Sequence, residues 1–148
     1  MKNSCTFFGH RDAPEDIRYD LKQVLIDLIE NKGVEWFYVG HNGSFDRMVL
    51  EELKLFSTVY KHIFYQVVIY TVPDENFTID GVEDFRILLP DADLESSPKR
   101  FAIDRRNIWM VNECDYVVTY VWKSWGGAYK FKSLAERKGK TVINLADK

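Results

Sequence analysis

Cysteine is scarce in this chain of 148 residues: only Cys5 and Cys114 occur, too few and too far apart for a zinc ribbon or a disulfide framework. One falls in an expected strand and the other at a helix end, which points to buried, reduced thiols. Histidine is equally sparse, and His10, His41 and His62 lack metal-ligand spacing. No metal or cofactor is expected. No apolar run approaches the roughly 20 residues needed to cross a bilayer. Met1-Lys2-Asn3-Ser4 leads straight into a short apolar strand without the core of a signal peptide, so a cytoplasmic location is expected. Neither charge sign dominates. The net charge of −3, with both signs mixed throughout, argues against a broad electrostatic attraction to DNA or RNA and still allows a local basic pocket. Nor does the chain contain a nucleophile elbow or the Lys-Ser/Thr ending of a P-loop.

What is abundant is apolar and aromatic side chain, 46% and 15% of residues, enough for one domain with a sizeable core. Strand and helix signals alternate almost to the end. Strands are expected at Ser4–Phe8, Trp36–Val39, Phe64–Thr71, Asp115–Trp122 and Thr141–Leu145. Between them, a helix starts at Asp12 and Pro14 and ends at Asn31-Lys32-Gly33, with Leu21, Leu25, Leu28 and Ile29 at helical spacing. A second helix buries Phe45, Met48, Val49, Leu53, Phe56 and Val59 and turns Arg47, Glu51, Glu52 and Lys54 outward. A third, from Arg100 to Cys114, is buried through Phe101, Ile108 and Val111. A fourth, Gly126–Lys138, is buried through Phe131, Leu134 and Ala135. Three of the four prolines, the turn Asp80-Gly81 and the acidic run Asp91, Asp93 and Glu95 mark residues 72 to 98 as an irregular excursion. The order predicts a single doubly wound α/β domain with a mostly parallel sheet.

Three glycine turns stand where a strand hands over to a helix: Gly9-His10-Arg11, Gly40 to Asp46, and Gly126-Gly127-Ala128. Glycine allows a sharp turn and close backbone approach, and a following helix N-terminus suits an anion. In a parallel sheet all three lie on the carboxyl edge, where ligands bind. In the second turn, Gly40 makes the turn, Gly43 opens the helix, and Ser44 caps it or donates to a phosphate oxygen. Asp46 would repel a phosphate and fits better against a ribose hydroxyl or an arginine. A bare strand–glycine–helix turn is common, so this pattern alone leaves both readings open. In the first turn Arg11 offers a two-pronged anion fork and His10 a bond to a phosphate or a base; the alternative is a solvated loop pair. In the third, Trp125 stacks on a base or packs, while Trp122 is expected in the core. Arg105-Arg106 lies amid apolar neighbours, so one arginine is expected to turn inward toward an anionic ligand or an internal carboxylate.

These pieces resemble the SLOG superfamily, the Rossmann-like group related to the LOG ("lonely guy") phosphoribohydrolases and the YpsA-like proteins. Thr6-Phe7-Phe8-Gly9-His10-Arg11 looks like the first-strand signature of the YpsA-like branch, and Gly40–Asp46, including Asn42, looks like the first phosphate loop. Arg106-Asn107-Ile108-Trp109-Met110 is similar to the Arg-(Lys/Asn)-x-x-Met element, and Trp125-Gly126-Gly127-Ala128 to the Gly-Gly loop. The resemblance implies a Rossmann-like fold and a nucleotide-type pocket built from Gly9, Arg11, Gly43, Ser44, Arg106, Gly126 and Gly127. The LOG hydrolases carry a longer Gly-Gly-x-Gly-Thr-x-x-Glu loop whose acid serves N-glycosidic cleavage. Here the corresponding positions fall on Tyr129, Lys130 and Phe131 to Ser133, none of them acidic.

The expectation is a binding protein that senses, carries or sequesters a nucleotide-derived small molecule. The alternative is an N-glycosidic bond hydrolase, for which Asp46 is the candidate acid. Single-strand DNA binding is disfavoured by the lack of a basic stripe. A homo-oligomer fits the resemblance and the aromatic content.

Overall fold

A computed structural model describes residues 3–71, 78–79, 81–90 and 98–147. Six parallel strands, β1 (Ser4–Gly9), β2 (Trp36–Val39), β3 (Phe64–Val68), β4 (Ile87–Leu88), β5 (Tyr116–Tyr120) and β6 (Thr141–Asn144), form one sheet in the order β4-β3-β2-β1-β5-β6. Four helices connect them: α1 (Arg18–Glu30), α2 (Ser44–Val59), α3 (Lys99–Glu113) and α4 (Gly127–Arg137). The result is the expected Rossmann-like, three-layer α/β architecture.

Strand periodicity builds the layers. Successive residues point to opposite faces, so Phe7, Phe37, Val67 and Val118 enter the core under α1 and α2, while Phe8, Tyr38, Val68 and Val117 enter the core under α3 and α4. Both faces are apolar, as a parallel sheet covered on both sides requires. α1 ends where expected, with Asn31 as its C-cap and Gly33 in the left-handed region at φ 70°.

The structure corrects several expectations. A short strand, β4, lies inside the stretch read as irregular; its two residues pair with Val67 and Val68 but are too few to display a pattern. The acidic run Asp91, Asp93 and Glu95 lies outside the described residues, as does Asp80. On α2, Val59 is 72% exposed, and Glu52, expected outside, is 1% exposed. Glu52 faces α1, where Arg18 Nη1 donates to its Oε2 at 2.7 Å and Lys22 Nζ lies 3.6 Å from Oε1. Arg18 also holds Glu51 at 2.9 Å. On α3 the inward stripe is Ala102, Arg106, Met110 and Val111, whereas Phe101 and Ile108 are exposed.

A buried carboxylate that loses its main partner is costly. Arg18→Ala is therefore expected to lower the unfolding free energy by about 2 kcal/mol, less than for a fully buried pair because Arg18 is partly solvated. Joint replacement by Arg18→Met and Glu52→Leu is expected to recover most of it. Urea unfolding of the variants checks both outcomes.

Candidate functional site

Strand order reverses between β1 and β5: β1 leads into α1 on one face of the sheet and β5 into α4 on the other. Their connections diverge and leave a crevice at the carboxyl edge. A cavity of about 530 Å³ occupies it. Nine of the twelve residues singled out from the sequence line it: Gly9, His10, Arg11, Asn42, Asp46, Arg106, Trp125, Gly126 and Gly127. Gly40, Gly43 and Ser44 do not; they build the wall from behind.

The three glycine turns differ in what they face. A Cβ on Gly9 would collide with the edge of the Phe45 ring, with Phe45 Cβ at 2.8 Å, so glycine here lets the start of α2 seat on the end of β1. Gly43, at φ 94°, would bring a Cβ to 3.0 Å from Arg11 Cα. The Ser44 N–H donates to the Arg11 carbonyl at 3.0 Å, and the Ser44 hydroxyl donates to the same oxygen. The N-terminus of α2 is thus tied to the β1 loop. The third turn is different: nothing lies within 4 Å of a Cβ built on Gly126 or Gly127. Gly126 needs glycine for its φ of 98°, whereas Gly127 has no such backbone requirement. Both are exposed at the cavity lip, at the N-terminus of α4.

His10 is fixed by the protein. Its Nε2 accepts the backbone N–H groups of Trp122 at 3.2 Å and Lys123 at 3.3 Å, and its ring meets Tyr120 and Trp122 edge-on. An Nε2 that accepts two N–H groups carries no proton, so the neutral ring is the Nδ1–H tautomer. Burial, followed by the charge of Lys123, pushes its pKa below the usual histidine value. His10 therefore latches the β5–α4 connection to β1 and can serve the cavity only as a donor.

Arg106 and Asp46 form one end of the cavity. Arg106 is 3% exposed, as expected for one arginine of the pair. Its Nη1 donates to the Val68 carbonyl at 2.8 Å, Nη2 to Asn42 Oδ1 at 2.9 Å and Nε to Asn107 Oδ1 at 2.7 Å, and the guanidinium lies over the Tyr70 ring. These acceptors are neutral, and the opposite charge near the guanidinium is the Asp46 carboxylate. Asp46 is half-buried; its Oδ2 accepts the Asn42 N–H at 2.9 Å. A Cβ on Gly40 would lie 2.9 Å from that oxygen and 3.1 Å from Arg106 Nη1, which explains the glycine there. His41 stacks on Tyr70, and burial with the nearby Arg106 charge pushes its pKa down to about 4.

Burial raises the Asp46 carboxyl to about 6, against the opposing pull of the Asn42 N–H and Arg106. Its folded value lies above the ordinary one, so the native state holds the extra proton between about pH 4 and pH 6 and loses stability as pH rises through that window. Asp46→Asn is expected to be more stable than wild type by about 1–2 kcal/mol at neutral pH, the full shift being discounted for partial exposure. The difference should vanish near pH 4. Unfolding curves at the two pH values check this, and equal stabilities at neutral pH would count against the placement of Asp46.

Two exposed tryptophans stand near the third turn, and of the two Trp125 lines the cavity. Trp122, expected in the core, is 61% exposed, because β5 ends at Tyr120 and the chain has already left the sheet. Trp125 is 66% exposed, and Lys123 Nζ lies 5.0 Å and 4.9 Å from the two ring centroids. Sequence reasoning missed Lys123 as a lining residue, although its place beside the third turn was a signal. It also missed Asn107 and Asp12. Cys5 and Cys114 are free and buried, as expected. Among the described residues no group of three or more His, Cys, Asp or Glu is placed to hold a metal, and no helix is long and apolar enough to cross a membrane. No protein-family model matches the chain, and no curated protein matches it.

Proposed function

We propose that the cavity at the carboxyl edge of the sheet binds a nucleotide or nucleotide-derived small molecule, which the protein senses, carries or sequesters. The observation that carries this reading is the open third turn. Gly127 is a glycine that neither backbone conformation nor neighbouring atoms explain, and a ligand approaching the free N–H groups of α4 does explain it. Lys123 and Arg11 line the same cavity and add positive charge, and Trp125 offers a face for a planar base. The order of the motifs, which resembles that of the SLOG group, supports the same ligand class. Native mass spectrometry of freshly purified protein tests it: a discrete added mass in the nucleotide range, lost on unfolding, is the expected result.

One observation favours a second reading, hydrolysis of an N-glycosidic bond. Asp46 lines the cavity with a carboxyl held near 6, a value suited to giving or taking a proton at neutral pH. Release of free base from nucleoside monophosphates, abolished by Asp46→Asn, would support it. No turnover at high protein concentration would leave binding as the function.

A further inference from the structure

We infer that Asp46 is the specificity-determining residue of the cavity and that it selects ligands carrying free ribose hydroxyls over their deoxy counterparts. This rests on the proposed nucleotide-type pocket and deepens it. The carboxyl belongs to the first turn of α2 and lines the cavity. Its setting is rigid: Oδ2 is held by the Asn42 N–H, and the Gly40 backbone closes in behind it. The Asn42 side chain in turn accepts from Arg106, whose other donors fix it to β3 and α3. Carboxyl and guanidinium are therefore each held in place by the protein's own hydrogen bonds.

Two opposite charges side by side limit what can approach. A phosphate that gains from Arg106 is opposed by Asp46, and an ammonium group that gains from Asp46 is opposed by Arg106, so neither ion gains fully. A neutral hydroxyl meets neither objection. It donates to the carboxylate oxygen, and its own oxygen tolerates a nearby cation. Hydrogen bonds to a charged acceptor are among the stronger ones, so a ligand that brings a hydroxyl gains where its deoxy analogue leaves a carboxylate oxygen without a partner. The open N-terminus of α4, with Lys123, lies on a different element bordering the same cavity. A ligand reaching both regions needs an anion on one part and neutral donors on another. A ribose phosphate has that layout.

NMR-detected titration of the full chain tests the inference. The probes are ribose 5-phosphate against 2-deoxyribose 5-phosphate, and each common ribonucleoside 5′-monophosphate against its 2′-deoxy counterpart. The expected result is tighter binding of the ribo form by about tenfold or more. In Asp46→Ala the preference should shrink to about twofold or less. The comparison on wild-type protein decides the matter by itself if that variant fails to fold. Equal affinity of ribo and deoxy forms for wild type overturns the inference while leaving the nucleotide pocket standing. Absence of binding by every probe counts against the pocket reading itself, and the inference falls with it. A preference that persists unchanged in folded Asp46→Ala assigns the selection to another residue and overturns the role given to Asp46.

Discussion

Gly9→Ala is expected to lower the unfolding free energy by about 3 kcal/mol, whereas Gly127→Ala should leave it within about 0.5 kcal/mol. The two residues look alike in sequence, each a glycine where a strand hands over to a helix. They differ in what surrounds them. A methyl group on Gly9 collides with the Phe45 ring, which is fully buried and cannot swing aside without moving the start of α2. A methyl group on Gly127 enters open space at the first position of α4, where alanine is a better helix former than glycine. Chemical denaturation of both variants gives the comparison. Equal stabilities would mean that the β1 turn does not receive Phe45 as described.

Arg106→Ala is expected to act twice. Removing the guanidinium leaves the Val68 carbonyl and the side-chain oxygens of Asn42 and Asn107 without their donor, and opens a void beneath Tyr70. Relief from burying a charge offsets part of the cost, so the net loss is about 3 kcal/mol. On the proposed function the same variant leaves the Asp46 charge in the cavity without its counterweight, and affinity for a ligand that carries an anion should fall by about tenfold. Arg106→Lys separates the two effects. Lysine keeps the charge but cannot reach three diverging acceptors with a planar fork. It should recover part of the binding and little of the stability. Thermal melts and calorimetry on the two variants read the two effects independently.

How much of this was legible in the sequence depended on the range of the interactions. Strand β2 was expected over the residues where it occurs, because β-branched and aromatic side chains bounded by turn signals identify a strand locally. The three-layer fold followed from the alternation of strands and helices. The inward face of α3 was misread because its stripe runs through Arg106. An arginine between Ala102 and Met110 looks like a break in an apolar pattern, and Phe101 and Ile108 look like its continuation. Glu52 was misread in the same way, since the cations that make its burial tolerable sit on another helix. The site showed the same limit. Nine of the twelve residues line one cavity, and His10 and Ser44, each open in the sequence to a ligand role or a local one, bond the main chain of distant segments, 112 and 33 residues away. The distinction between packed and open glycines is invisible without the neighbours that fill the space. On the proposed function, that distinction puts the ligand's anion at the third turn rather than the second.

The most direct measurement is a calorimetric titration of wild-type protein and Gly127→Asp with nucleotides, dinucleotides and ADP-ribose-type compounds. Aspartate in the first turn of a helix favours the helix dipole, so this variant should fold at least as well as wild type while placing a carboxylate where the ligand anion would sit. Saturable binding of at least one compound to wild type, weakened by about 100-fold or more in Gly127→Asp at an unchanged or higher melting temperature, is the expected result. No binding across the panel, or binding that Gly127→Asp leaves intact, would contradict the assignment of this cavity.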